Sequence, residues 1–221
     1  ILNNIGIVCN SKGDYEKAIE YFENALRIDK KFYEEEHPNI ATSYNNIGTA
    51  RKMKGAYNIA IEYFEKALAI VKKHYGEYHP SIAICYNNLG AAQQSKGEYE
   101  KAIENYEKAL TIDKKLYGEY HPSIAICCNN LGAAKQGKGE YGKAIEYYEK
   151  AMVIDKKLYG EEHPDIAASY NNIGSALYSK GEYGKAIEYY EKALAIDKIF
   201  YGEEHLSIAR NYNNIGQALS N

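Results

Sequence analysis

The segment YGEYHPSIAIC occupies Tyr75 to Cys85 and returns letter for letter at Tyr117 to Cys127, 42 positions further on. The rest of the chain keeps the same period. Histidine precedes proline at Pro38, Pro80, Pro122 and Pro164, and the fifth place in that series is His205-Leu206. Asn-Asn-Ile-Gly or Asn-Asn-Leu-Gly stands at Asn3–Gly6, Asn45–Gly48, Asn87–Gly90, Asn129–Gly132, Asn171–Gly174 and Asn213–Gly216. A second glycine follows at Gly13, Gly55, Gly97, Gly139 and Gly181. A fixed period of this size points to a stack of like units, each covering the apolar face its neighbour leaves open.

Within one unit, Ile40, Tyr44, Ile47 and Gly48 fall on one stripe of an amphipathic helix. Asn39, Ser81, Ser123, Asp165 and Ser207 follow the His-Pro or His-Leu pair, where N-cap side chains are expected. Gly55 and its equivalents end this first helix. A second helix carries Ala60, Ile61, Phe64, Ala67, Leu68 and Val71 on one face. Its other face has Glu62/Lys66, repeated as Glu104/Lys108, Glu146/Lys150 and Glu188/Lys192, in the favourable i, i+4 order. The His-Pro pair is expected to stop this second helix, because the residue before proline avoids helical angles. Small residues of the Gly48 and Ala60 type let the helices approach, with Tyr44, Tyr57 and Phe64 filling the space beside them. Most of the 24 tyrosines belong to such columns and are read as packing.

Composition removes several classes of function. The net charge is -3, with 27 basic and 30 acidic residues interleaved, so no basic surface for nucleic acid or membrane is expected. An array of helical repeats reading one base per unit is therefore disfavoured. There is no apolar run of membrane-spanning length, the opening ILNNIGIVCN does not read as a signal peptide, and the four cysteines (Cys9, Cys85, Cys127, Cys128) form no CxxC pair. Reduced thiols in a cytoplasmic protein are expected. His37, His79, His121, His163 and His205 form a column whose members are expected to brace the connectors rather than hold a metal. No unit carries a singular Ser/His/Asp or Cys/His set, and the glycines are isolated turn residues. The expectation is no catalytic residue, no cofactor and no enzyme.

The spacing Tyr44, Ile47-Gly48, Gly55-x-Tyr57, Ala60, Phe64, Ala67 resembles the tetratricopeptide repeat. The long unit, with its aromatic-Gly-x-x-His-Pro connector followed by Asn-Asn-Leu or Asn-Asn-Ile, is similar to the repeats of kinesin light chains. The resemblance implies an all-α, right-handed superhelical solenoid of antiparallel helix pairs over residues 1–221. Full units are expected at 39–80, 81–122, 123–164 and 165–206, with partial units at 1–38 and 207–221. Both ends fall inside a first helix without a polar cap, which reads as a fragment of a longer chain. The chain departs from kinesin light chains in having glycine at Gly48, Gly90, Gly132 and Gly174, and in lacking a heptad segment. Glu34 also stands in place of a connector glycine.

The resemblance implies a protein-interaction scaffold or adaptor that holds an extended peptide in a concave groove, with motor or signalling complexes as partner classes. A regulatory domain packing on an effector in its own chain is the alternative. On the helical wheel, at about 100° per residue, the side away from the partner helix holds Thr42, Asn45, Asn46 and Thr49. Repeated, this gives an amide ladder of Asn45, Asn46, Asn87, Asn88, Asn129, Asn130, Asn171, Asn172 and Asn214. An amide offers both donor and acceptor, so it can hold peptide backbone without selecting a side chain. One asparagine of each pair is equally suited to tying repeat to repeat, and the resemblance nominates the second as the ligand contact. Thr42, Thr49, Ile84, Ala91, Gln94, Ile126, Ala133 and Gln136 form the expected neutral groove floor, suited to an apolar anchor. The basic first position of chaperone-tail clamps is missing, and helix-one charges are few (Arg51, Lys52, Lys135, Arg210).

Overall fold

A computed structural model describes residues 2–221, so Ile1, placed by periodicity in the opening helix, lies outside them. Among the described residues, two kinds of helix alternate. The shorter kind comprises α1 (Leu2–Ser11), α3 (Pro38–Met53), α5 (Pro80–Ser95), α7 (Pro122–Gly137), α9 (Pro164–Ser179) and α11 (Leu206–Leu219). The longer kind comprises α2 (Tyr15–Phe32), α4 (Tyr57–Tyr75), α6 (Tyr99–Tyr117), α8 (Tyr141–Tyr159) and α10 (Tyr183–Tyr201). The chain falls into two compact units, residues 1–116 and 117–221.

The turns show why the boundaries repeat. A short helix such as α7 ends where Gly139 takes φ +83°. The Gly139 amide then donates to the Gln136 carbonyl and the Glu140 amide to the Lys135 carbonyl, both at 2.9 Å. This is a Schellman closure, and it satisfies carbonyls the helix leaves open. Glu140 opens α8 and is clamped by Lys135, Lys138 and Lys143, which hold its carboxyl down to about 2.

The connector differs from two expectations. The histidine, rather than the residue after proline, is the N-cap. His79 Nδ1 accepts from the Ser81 amide at 3.2 Å, and His37, His121, His163 and His205 repeat the bond. Four of the five helices so capped have proline at their first turn, where a missing N–H costs nothing. Each histidine ring also stacks on the tyrosine four residues before it. Tyr75 and His79, for example, lie 3.7 Å apart at 3°.

The second difference concerns the stop signal of the long helix, which is the connector glycine rather than His-Pro. Gly160 caps α8 at φ 86°, ψ 177°, a region essentially reserved for glycine. Where Glu34 replaces that glycine, α2 stops one residue early, at Phe32, and Tyr33 adopts extended angles instead.

In the unit spanning 1–116, Ala18, Ile19 and Phe22 of α2 pack with Ile47 and Ala50 of α3. In the unit spanning 117–221, Ala144 and Tyr148 of α8 join Ile173, Ala176 and Leu177 of α9, Ala186 and Tyr190 of α10, and Ala218 of α11. Burying each large apolar side chain of this kind contributes about 1.5–3 kcal/mol. In the copies from Gly6 to Gly174, the glycine of the Asn-Asn-x-Gly motif makes room for an aromatic ring sixteen residues on. A Cβ added at Gly48 would lie 2.6 Å from Phe64, and one at Gly174 would lie 2.6 Å from Tyr190. All four cysteines are thiols outside any disulfide, and burial pushes the Cys85 thiol up.

Candidate functional site

In the unit spanning 1–116, the exposed face of α3 meets that of α5 across a cavity of about 310 Å³. Thr42, Asn45, Asn46, Thr49, Ile84 and Asn88 line it, together with Val71 and Tyr75 from α4. Six expected ladder and floor residues are thereby brought into one site. Ile84 is 54% exposed there, an apolar side chain held open among amides and hydroxyls. In the unit spanning 117–221, a cavity of about 440 Å³ has the same register, lined by Pro164, Asp165, Ala168, Asp197, Tyr201, Ser207 and Arg210. Its chemistry is charged where the first is neutral.

The two asparagines of a pair do different work. Asn45 Nδ2 donates to Cys85 Sγ at 3.4 Å, and Asn45 Oδ1 accepts from Asn88 Nδ2 at 3.5 Å. Asn171 is buried, donating to Asn211 Oδ1 at 2.7 Å and accepting from Asn214 Nδ2 at 3.3 Å. The first asparagine therefore ties one repeat to the next, and the second asparagine of the following pair, Asn88 or Asn214, donates into that tie. Among the described residues, the side chains of Asn46 and Asn172 have no hydrogen-bond partner in the protein and are half-buried on the same helix face. Asn87, Asn129 and Asn130 are half-buried, and Asn87 is engaged within the protein.

Among the floor residues, Ile126 is 56% exposed, while Ala91 and Ala133 are half-buried. The glutamines are less free than the pattern implied. Gln94 Oε1 accepts from the Tyr106 hydroxyl at 3.0 Å, and Gln136 Oε1 from Tyr148 at 3.1 Å. Gln136 also donates to Ser175 at 3.0 Å. Each glutamine thus holds the hydroxyl of the core tyrosine beneath the motif glycine. Lys52 occupies the same column opposite Phe64, which has no hydroxyl, and burial lowers its ammonium. Arg51 pairs with Glu23 at 3.0 Å.

Sequence periodicity missed one set of residues altogether. Asp113, Asp155 and Asp197 are 2–4% exposed, on the apolar stripe of the long helices. Their place in the repeat is that of Val71, which is itself core, and this was the available signal. Asp197 accepts from Asn211 Nδ2 at 2.7 Å, and Asp29 accepts from Ser43 at 2.9 Å. Burial, with the nearby Asp165 charge, pushes the Asp155 carboxyl up to about 6, partly offset by His163.

The lysines of the expected i, i+4 pairs stand over tyrosine faces: Lys66 over Tyr63 at 5.3 Å and Lys192 over Tyr189 at 4.7 Å. Among the described residues, no three His, Cys, Asp or Glu side chains gather as metal ligands. No helix there is long and apolar enough to cross a membrane.

Several solved structures share this architecture. A kinesin light chain-type protein of Podosopora anserina, built of nearly identical TPR-like repeats, is 27% identical over 90% of this chain and 95% of its own, with a TM-score of 0.77. BtubC of P. vanneervenii aligns at 22% identity over 93% of this chain and 83% of its own, TM-score 0.79. A Rap protein complexed with competence and sporulation factor aligns at 16% identity over 98% and 63%, TM-score 0.73. The last two are likenesses of fold alone. No curated protein sequence matches the chain. The tetratricopeptide repeat model matches residues 1–73, 51–115, 94–157 and 128–199, so that nearly the whole chain is accounted for by one motif, and the protein belongs to the tetratricopeptide repeat family.

Proposed function

We propose that this protein is a non-catalytic adaptor that grips an extended segment of a partner protein along the exposed faces of its short helices. The fold is that of a protein-interaction scaffold. The observation that supports a peptide ligand is the cavity between α3 and α5, where exposed Ile84 stands beside the unpartnered amide of Asn46. An extended strand needs donors and acceptors for its backbone and an apolar surface for one anchor side chain. Asn46 and Asn172 are the preferred backbone contacts, because their side chains are not committed to holding the repeats together. The likeness to kinesin light chain-type repeats supports an adaptor role over other uses of the fold.

Peptide display on the chain tests the proposal. Peptides enriched by the parent should lose at least tenfold in affinity with Asn46→Leu, while circular dichroism shows unchanged helicity. A variant that keeps every ligand at parental affinity would remove the groove from consideration.

A further inference from the structure

The joints between repeats are built from the same three positions, and they are not equally well supplied with hydrogen-bond donors. At the joint of α9, α10 and α11, Asn171 donates to Asn211 and Asn211 donates to the Asp197 carboxylate, both at 2.7 Å. One amide accepts from one neighbour and donates to the other, so every group is satisfied. At the joint of α3, α4 and α5, Cys85 bonds Asn45 and the third position is apolar Val71, which asks for nothing.

Two joints have serine in the middle. In α1, α2 and α3 the set is Asn3, Asp29 and Ser43; in α7, α8 and α9 it is Asn129, Asp155 and Ser169. A hydroxyl carries a single donor, so it can serve the carboxylate or the amide oxygen but not both. Ser43 spends its proton on Asp29 at 2.9 Å, and Asn3 Oδ1 is then buried without a partner. At the other joint both Asn129 Oδ1 and Ser169 Oγ are buried without a partner in the protein. Ser43 and Ser169 are both 0% exposed. A buried asparagine Oδ1 without a partner thus occurs in each unit where serine replaces cysteine or asparagine, with Ser43 serving the carboxylate and Ser169 serving neither neighbour.

We propose that each Asn–Ser–Asp joint binds one internal water molecule, which donates to the asparagine Oδ1 and bonds the serine hydroxyl. Water brings two donors and two acceptors, and a polar pocket with two to four partners is where buried water is retained. It does at the serine joints what the Asn211 amide does within the chain. A carboxylic acid proton on Asp155 is the rival donor at the second joint, since burial and Asp165 raise that carboxyl to about 6, with His163 opposing.

A crystal structure of the whole chain at pH 8, at a resolution that orders internal water, decides the matter. Expected are density peaks within hydrogen-bond distance of Asn129 Oδ1 and Ser169 Oγ, and of Asn3 Oδ1 and Ser43 Oγ. In Ser169→Asn the introduced amide should take over the bonds, the nearby peak should vanish and the melting temperature should rise. Solution NMR gives a second readout: water-to-protein cross-relaxation at the Asn129 side chain, lost in Ser169→Asn. Direct bonding of Asn129 to protein donors with no peak, or a peak unmoved by Ser169→Asn, would overturn the proposal.

Discussion

Gly174 and Gly216 share the local sequence Asn-Asn-Ile-Gly and sit in the same unit, Gly174 within α9 and Gly216 in the last turn of α11, yet alanine should act on them in opposite directions. At Gly174 a new Cβ would stand 2.6, 2.8 and 3.1 Å from three ring atoms of Tyr190, whereas at Gly216 nothing lies within 4 Å. Carbon atoms settle about 3.5–4.0 Å apart, so the Tyr190 ring would have to retreat by about 1 Å. It cannot do so freely, being 4% exposed and packed among Ala176, Leu177, Ala186 and Ala218. Overpacking of this sort costs about 1–3 kcal/mol. Exchange of glycine for alanine returns about 1 kcal/mol in a helix interior, as at Gly174, and less in a last turn, as at Gly216. Gly216→Ala should therefore stabilise by up to about 1 kcal/mol, and Gly174→Ala should destabilise by about 1 kcal/mol. Because the propensity gain has the same sign at both sites, a gap of opposite directions between the two variants reports the ring contact. At about 2–4 °C per kcal/mol for a chain of this size, thermal melts resolve it. Tyr190→Leu should erase the gap in a double-mutant cycle. Equal stabilisation by both alanines would refute the steric reason given for the motif glycine.

Three further outcomes follow from the connectors and the buried carboxylates. His79→Ala should cost about 1.5–2.5 kcal/mol, of which the N-cap acceptor accounts for about 1 and the Tyr75 stack for the rest. His79→Asn restores the acceptor, so whatever loss remains in a chemical melt measures the Tyr75 stack, about 0.5–1.5 kcal/mol. Gly160→Ala should cost about 1–3 kcal/mol through backbone strain alone, since nothing lies within 4 Å of the added Cβ. Glu34→Gly should conversely extend α2 by one residue, visible in backbone chemical shifts. Asp155 has its folded pKa raised from 3.8 to about 6, so the native state binds the extra proton between those values. Its contribution to stability therefore rises as pH falls from about 7 towards 4, by roughly 2–3 kcal/mol over the window. Asp155→Asn should flatten that part of the stability–pH profile, and an unchanged profile would place the dependence elsewhere.

The architecture was legible because its cause is periodic. Spacing alone marks Ile47 and Phe64 as core and Gly55 as a turn, and the described helices recur on the same register. The caps were misplaced for a chemical reason: serine, asparagine and aspartate dominate N-cap statistics, so Ser81 looked better than His79. Proline at the first helical position was the overlooked signal, since it makes the residue before it the cap. Asp155 escaped notice because a carboxylate reads as surface unless its column is compared with Val71. The contact between Gly174 and Tyr190 joins residues sixteen apart on different helices, and no local pattern states it. Asn45 and Asn46 are the same residue type side by side. Their division between repeat joint and open face depends on helix rotation within the packed array, which spacing alone does not resolve.

The repeats differ from one another in an ordered way, and the order bears on the proposed function. The asparagine pair is constant in every copy, whereas the exposed position three residues before it reads Thr42, Ile84, Ile126, Ala168 and Arg210. Core packing does not impose this variety, because all five side chains are exposed. A constant amide grip with a changing neighbour is the arrangement expected if backbone binding is generic and selectivity resides in the variable column. The two kinds of substitution should then separate in a display experiment. Asn46→Leu should lower the affinity of every selected peptide, whereas Ile84→Arg should leave the number of binders similar but shift their consensus from an apolar anchor towards a carboxylate. If Ile84→Arg instead behaves like Asn46→Leu, weakening all peptides alike, the exposed column is part of a general contact and does not choose the partner.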